Sequence, residues 1–349
     1  MKAVRIHTYS SDHKQLLYED APMPHTSDEE VSVQVRAAGI TRTELSWSGI
    51  WKNIETGVAR PLPLILGHEF SGVIKEVGNG VTEVNSGEEV YGLIDFIRDG
   101  AEAEYAIARL PEIAPKPKSL DHTHSAAVPL SALTAWQALF DYGNLVSGEK
   151  ILIHGAAGGI GSFAVQFAKW AGADEVIETA SSDDTEFLFD IGADNVIDYT
   201  TRRFEGIVQN IDIVFDTIGG DTLERSWKVL KKGTGKLVSI SVEMPSSEHS
   251  LPLYIQKRGA SHGVHATWFI VKPNRSQLTR IRDLIDAGDV RPIVDTVLPL
   301  SQAQNAYEHP RSHGRGKIAP RSKMDHNAKT VHTKNYAGDN KDLNSKNGY

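Results

Sequence analysis

The run Lys150-Ile151-Leu152-Ile153-His154-Gly155-Ala156-Ala157-Gly158-Gly159-Ile160-Gly161-Ser162 constrains this chain more than any other segment. An apolar strand enters glycines spaced GxxGxxG, and a helical pattern follows. In such a turn one glycine allows the tight bend. One lets the backbone approach a pyrophosphate, and one lets helix and strand pack closely. The helix N-terminus then offers unpaired N–H groups and a partial positive charge to phosphate oxygens. A tight turn with no ligand is the competing reading, and the strand–turn–helix context favours the nucleotide.

Around this turn strands and helices alternate. Strands are expected at 151–153, 175–179, 195–197, 211–215 and 236–240, with helices at 162–171 and 185–191. That alternation predicts an α/β fold with a parallel sheet and helices on both faces. The first 115 residues read as mostly β. Val31-Ser32-Val33-Gln34-Val35 alternates apolar and polar, which predicts a half-buried strand, and 70–77 and 89–94 are further apolar runs between glycines and prolines. Beyond residue 265, Leu278, Ile281, Leu284 and Ile285 mark one face of a helix at 277–287, and 301–307 reads as a shorter one.

Composition narrows the function. The chain has 349 residues, no cysteine and a formal net charge of −8. Without cysteine there is no disulfide, Cys-ligated zinc, iron–sulfur cluster or thiol nucleophile. The acidic balance argues against a general nucleic-acid binder. The most apolar stretch, 126–140, is interrupted by Ser131, Thr134 and Gln137 and is too short to span a bilayer. Residues 1–7 hold no apolar targeting run, so the expectation is a cytoplasmic protein with no membrane contact. The last 29 residues carry six Lys or Arg, three Asp and few apolar side chains. Such a segment buries too little to offset its ordering entropy, and 321–349 is predicted to be a disordered polar tail.

The end of the second strand bears on which nucleotide binds. It reads Glu178-Thr179-Ala180-Ser181-Ser182, and the terminal position is Ala180 rather than the acidic residue that bonds the ribose of NAD. Ser181 and Ser182 offer hydrogen bonds to a 2′-phosphate. Asp183 and Asp184 weaken that case unless they serve the N-cap and first turn of the next helix. NADPH is therefore preferred to NADH.

Several motifs in order resemble a known family. They are the turn His154–Gly161, the upstream Ala127-Val128-Pro129-Leu130-Ser131-Ala132-Leu133-Thr134-Ala135-Trp136, the later Val214-Phe215-Asp216-Thr217-Ile218-Gly219-Gly220, Leu64-Ile65-Leu66-Gly67-His68-Glu69, and Gly314-Arg315-Gly316-Lys317-Ile318. Together they resemble medium-chain dehydrogenase/reductases, and within them the zinc-independent quinone oxidoreductase branch. The resemblance runs from residue 1 to about residue 318. It implies a Rossmann doubly wound parallel sheet beside a GroES-like β-rich catalytic domain, with the active site in the cleft between them. The expected divisions are 1–120 (first part of the catalytic domain), 121–264 (cofactor-binding domain), 265–320 (return to the catalytic domain) and the tail. The resemblance also implies a homodimer, joined at a sheet edge near 266–271.

Zinc-dependent relatives hold their metal with Cys, His and Cys. Here His68 and Glu69 remain, but the cysteine positions fall on Thr41 and Leu130, which are poor or impossible zinc ligands. No metal is expected. His68 is then either a site-lining hydrogen-bonding group or a buried structural residue. The implied reaction is hydride transfer from NADPH to a quinone or an α,β-unsaturated carbonyl, with Thr41, Thr43 and His68 as candidates to face the developing charge. The resemblance carries Thr134 to the nicotinamide side and Gly158, Gly159, Ile160 and Gly161 to the pyrophosphate, with Gly155 and Ile218 as further cofactor-binding residues. It carries Tyr199 to the 2′-phosphate, with Arg202, Arg203 or Lys317 as cations to pair with it. Two other readings stay open. One is a zinc-type alcohol or polyol dehydrogenase using His68 and Glu69. The other is a non-catalytic nucleotide- or RNA-binding relative.

Overall fold

The computed structural model describes residues 1–47, 52, 56–243, 250–308 and 315–321. The polar tail from residue 322 onward lies outside the described residues.

The N-terminal part is built from β1 (Lys2–Ile6), β2 (Leu17–Asp20), β3 (Glu30–Gly39), β4 (Leu64–Ile65), β5 (Glu69–Val77), β6 (Glu89–Leu93), β7 (Tyr105–Arg109) and β8 (Ile113–Pro115). Strands β2, β1 and β4 form one small sheet, while β3, β5, β6 and β8 form the core of a larger one, with β7 on β3. Two short helices follow, α1 (His122–Ala126) and α2 (Pro129–Trp136), the second continued by a π-helical turn at Gln137–Tyr142. The apolar stretch at 126–140 is thus a buried helical segment. Strand β3 departs from its half-buried expectation, because Ser32 and Gln34 are buried as well as Val31, Val33 and Val35. The valines face an apolar core with Phe70 and Ile74, and α1 covers β3 and β5. A strand covered on both faces buries its polar positions too.

The middle of the chain forms a six-stranded parallel sheet from β9 (Lys150–His154), β10 (Glu175–Ala180), β11 (Asn195–Asp198), β12 (Ile213–Asp216), β13 (Lys236–Ser239) and β14 (His265–Trp268). Its spatial order is β11-β10-β9-β12-β13-β14, the doubly wound arrangement whose order reverses between β9 and β12. Alternate strand residues serve opposite faces. Ile151 and Ile153 join Phe163 and Phe167 of α3 (Gly159–Trp170) in one core, while Leu152 joins Leu223 and Ile255 in the other. Those last two come from α5 (Gly220–Ser226) and α6 (Leu251–His262), and α4 (Thr185–Asp190) follows β10.

The division expected at residue 264 falls inside this sheet. Strand β14 pairs in parallel with β13 and is the sheet's edge, so the cofactor domain extends through Trp268. The following helix α7 (Arg275–Ala287) begins under an Asn274 cap on the Gln277 N–H and ends at Gly288 in the left-handed region. It buries Leu278, Ile281, Leu284 and Ile285, the face read from their spacing. After it, β15 (Val294–Pro299), α8 (Ala303–Glu308) and β16 (Lys317–Arg321) return the chain to the β domain, where β16 pairs antiparallel with β3.

Candidate active site

The crevice opens where strand order reverses, at the C-terminal ends of β9 and β12. Three glycines there do three jobs. Gly155 has a positive φ of 75°, and a Cβ on it would strike the Thr217 hydroxyl. Gly161 packs so closely on the Gly155 carbonyl and Ala156 that no side chain fits. Gly158 caps α3 and leaves space, since a Cβ placed on it would have Gly155 O as its nearest neighbour, at 3.4 Å. That open backbone beside a helix N-terminus is a cradle suited to a pyrophosphate. Ile160 is partly buried and packs on the main core, which anchors the first turn of α3.

The turn after β12 is locked onto this one. Thr217 donates its hydroxyl to His154 O at 2.8 Å. Asp216 accepts the N–H groups of Ile218 and Gly219 and the Ser239 hydroxyl, and its burial pushes its carboxyl above the usual range. Ile218 is thereby held exposed at the crevice mouth, 54% accessible. His154, at the end of β9, is no acid. Its ring nitrogens lie 2.8 Å from the Thr179 hydroxyl and 3.0 Å from that of Ser226, and burial lowers its pKa to about 3.

Across the cleft the β domain contributes a buried ionic chain. Gly316, at φ 78°, pairs with Gly158 and turns the returning strand so that Lys317 enters the cleft. A Cβ on Gly316 would collide with Ile293 O, so the turn requires glycine. Lys317 Nζ lies 2.5 Å from Glu69 Oε1 and donates to Thr41 Oγ1 at 2.7 Å. Glu69 Oε2 accepts the Leu130 N–H at 3.0 Å. Leu130 O in turn accepts the Thr134 hydroxyl at 2.6 Å. Burial drives Glu69 above the usual carboxylate range, while Lys317 and the Leu130 amide pull it back. A Cβ on Gly159 would lie 3.0 Å from Lys317 Cγ and 3.1 Å from Ser131 Oγ, so the glycine turn touches this chain directly.

A family model described as an alcohol dehydrogenase GroES-like domain matches residues 27–118, and one described as a zinc-binding dehydrogenase matches residues 191–319. A zebrafish (Danio rerio) protein named NAD(P)H oxidoreductase RTN4IP1, mitochondrial, is 33% identical over 82% of this chain and 82% of its own length. The tomato (Solanum lycopersicum) 2-methylene-furan-3-one reductase is 31% identical over 86% of this chain and 73% of its own. Among solved structures, the quinone oxidoreductase from Coxiella burnetii superposes with a TM-score of 0.82 at 30% identity, covering 92% of this chain and 99% of that one. The chain belongs to the medium-chain dehydrogenase/reductase superfamily, in its quinone oxidoreductase-like branch. As a member of that branch it is an NAD(P)H-dependent oxidoreductase.

Within this dehydrogenase/reductase cleft, the structure brings Thr41, Thr134, Gly158, Gly159 and Lys317 together. It does not bring His68 or Thr43. His68 is 1% exposed, with Nε2 on Arg98 O at 3.0 Å and Nδ1 on Glu44 Oε1 at 2.6 Å. A carbonyl only accepts, so Nε2 spends its proton there, and the other nitrogen is taken by Glu44. No ring N–H is left for a substrate, and the site-lining alternative for His68 gives way to the buried structural one. Thr43 is exposed at the start of the short turn Glu44–Ser46, where its carbonyl accepts the Ser46 hydroxyl.

The adenosine end also needs a correction. Tyr199 donates its N–H to Ala180 O, which places the Tyr199 backbone beside the end of β10, next to Ser181. Lys317 is committed to Glu69 and Thr41 instead, and Arg203 lies 3.6 Å from Glu205. Arg202 stays beside Asp198 at this end, and Arg315, which was not among the expected cations, is a second one there. It donates to Asp184 Oδ1 at 2.9 Å and to Asp183 O at 2.5 Å. Ser181 Oγ donates to the other oxygen of Asp184 at 3.0 Å, and Ser182 is exposed beside it. Asp184 therefore serves as a clamp for Arg315 rather than as a side-chain N-cap. No local signal marks Arg315, because its partners lie about 130 residues away in the chain.

Proposed function

We propose that this oxidoreductase uses NADPH to reduce quinones or α,β-unsaturated carbonyls without a catalytic zinc. The observation that carries the reading is the occupied ligand position. Thr41 stands where a zinc enzyme of this architecture has its first cysteine, and it bonds an ammonium group. Leu130 at the second position has no side-chain donor, His68 is sealed in the β domain, and Glu69 holds Lys317. A divalent cation here would sit against a positive charge. The donor set does not fit zinc, and no step is routed through one.

The glycine turn and the Asp216-held turn would hold the dinucleotide, and the reduced nicotinamide supplies a hydride when bound. The protein's own contribution is position and charge. Thr134 and Ser131 of α2 lie beside the ionic chain. Thr41 presents a hydroxyl to the oxygen on which negative charge develops. At the other end the second strand finishes in Ala180 rather than a carboxylate, and Arg315 and Tyr199 supply a charge and a hydroxyl suited to a 2′-phosphate, with Asp184 holding Arg315 and Ser181 in place. A homodimer joined along β14 and a cytoplasmic location go with this reading. No helix among the described residues is long and apolar enough to cross a membrane.

The deciding experiment is consumption of NADPH and NADH with a panel of quinones, alkenals, enones and simple ketones, with metal analysis of the same sample. Turnover of conjugated acceptors with NADPH, and no stoichiometric zinc, is expected. Zinc that chelators remove together with activity on simple alcohols overturns the reading in favour of the alcohol dehydrogenase. Nucleotide binding with a blank panel favours the non-catalytic one.

A further inference from the structure

Lys317 is 8% exposed, and its carboxylate partner Glu69 is 1% exposed. Removing a charge pair from water is costly, and a buried pair is weak evidence of a purely stabilising role. The hydrogen-bond polarity of the chain is fixed by chemistry. A lysine ammonium has three donors and no acceptor, so in the 2.7 Å contact Thr41 Oγ1 must accept. The Thr41 hydroxyl proton is then unspent, and among the described residues its side chain has no other partner. The Ser131 hydroxyl is fully buried with no partner among the described residues and, like the Lys317 stem, lies against Gly159. Buried polar groups of a folded protein are normally satisfied, so the unspent Ser131 hydroxyl marks a place where a polar ligand completes the site, and the partly exposed Thr41 hydroxyl on Lys317 is a second donor open to that ligand.

The geometry points to a proton relay: Glu69 holds Lys317, Lys317 holds the proton, and Thr41 delivers it to the oxygen anion of the reduced substrate. This rests on the quinone- and enone-reductase reading. The relay moves one proton per turnover. The Thr41 O–H bond breaks, and its proton forms a new O–H bond on the electron pair of the substrate oxygen. Thr41 regains a proton from the Lys317 ammonium, whose N–H electrons remain as the amine lone pair, and water recharges the amine. With the hydride from the reduced nicotinamide, a quinone becomes a hydroquinone and an enone becomes an enol, which rearranges to the ketone. The charged and polar groups facing Lys317 are Glu69 of β5, Thr41, Ser131 of α2 and the Gly159 backbone, with Glu44 acting on Glu69 from beneath.

The test separates a held proton from a held charge. Arginine keeps the positive charge against Glu69 but cannot be deprotonated in a protein. Lys317→Arg is expected to lower kcat on the order of 100-fold, the size of one general-acid contribution. Its NADPH Kd, read by fluorescence without turnover, should stay within about threefold, so that the loss falls on kcat alone. Thr41→Val should match that loss while Thr41→Ser restores activity, and this pair decides the matter if the arginine variant fails to fold. Full activity in Lys317→Arg overturns the relay and leaves a charge role. A loss confined to cofactor Kd overturns it likewise, as does full activity in Thr41→Val. In each of those cases the wild type still reduces the panel. A wild type inactive toward every quinone and enone overturns the function reading together with the relay.

Discussion

His68 and Glu69 are neighbours in sequence and finish in different worlds. Successive residues where a strand begins point to opposite faces. His68 turns into the β domain, where it is held by Glu44, the Arg98 carbonyl and the ring of Phe96, which in turn packs on Trp47. Glu69 turns to the domain junction, where it meets a lysine 248 positions further along the chain and an amide of α2. Both are buried pairings of an acid with a nitrogen base. The first has every donor spent within one domain, and the second is made from both domains and leaves a hydroxyl proton unspent. A closed pair holds a fold together, and an open one at a junction is available for chemistry.

That contrast can be broken by mutation. The largest effect is expected at the closed pair. His68→Ala strands Glu44 in the core and should cost about 3–5 kcal/mol of stability. Denaturant unfolding measures it, and whatever protein folds should keep its turnover. A stable His68→Ala protein that loses turnover as Lys317→Arg does would reverse the two roles. Next is Glu102, which lies near the closed pair and accepts the Tyr307 hydroxyl at 2.8 Å. Burial, then the charge of Glu44, raise its pKa to about 8. A raised acid favours the native state most at low pH, and that contribution is lost as pH rises from the ordinary carboxylate range through about 8. Glu102→Gln should therefore gain stability at pH 9 relative to pH 5. The gain should be on the order of 4 kcal/mol, since about three tenfold steps of proton affinity separate pH 5 from the raised pKa and each is worth about 1.4 kcal/mol. Thermal melts at the two pH values check the sign.

Smaller effects sharpen the junction. Gly161→Ala overpacks α3 against its strand and should cost about 1–3 kcal/mol of stability. Gly158→Val has room in the free protein, so it should cost no more than about 1 kcal/mol while cofactor affinity falls at least tenfold. A Gly158→Val protein with normal NADPH affinity would remove the pyrophosphate from this turn. The smallest effect is expected at Arg315. Its pair with Asp184 is partly exposed, so Arg315→Ala should weaken NADPH by about three- to fivefold and NADH less. Equal losses for both nucleotides would take Arg315 away from the 2′-phosphate.

Much of this was legible in the sequence where the contacts are local. The glycine turn, its strand and its helix lie within one short run, and each glycine's task follows from backbone geometry over a few residues. The buried face of α7 followed from four apolar side chains at helical spacing. The alternation of strand and helix implied the parallel sheet, although a boundary drawn by pattern alone cut off β14, whose place at the edge is decided by pairing with β13. Strand β3 misled for a related reason. Its alternating pattern is that of a half-exposed strand, and only the packing of α1 over it buries Ser32 and Gln34.

The sequence by itself thus determined the fold class, the nucleotide turn and the absence of any thiolate for a metal. Local backbone preferences and side-chain inventory are enough for those. Tertiary structure alone decided which polar residues do chemistry. Thr41 and Lys317 lie 276 positions apart, and no periodicity links residues so distant. Their meeting depends on β16 pairing beside β3 and on Gly316 turning the chain at Gly158, contacts that exist only once both domains have packed.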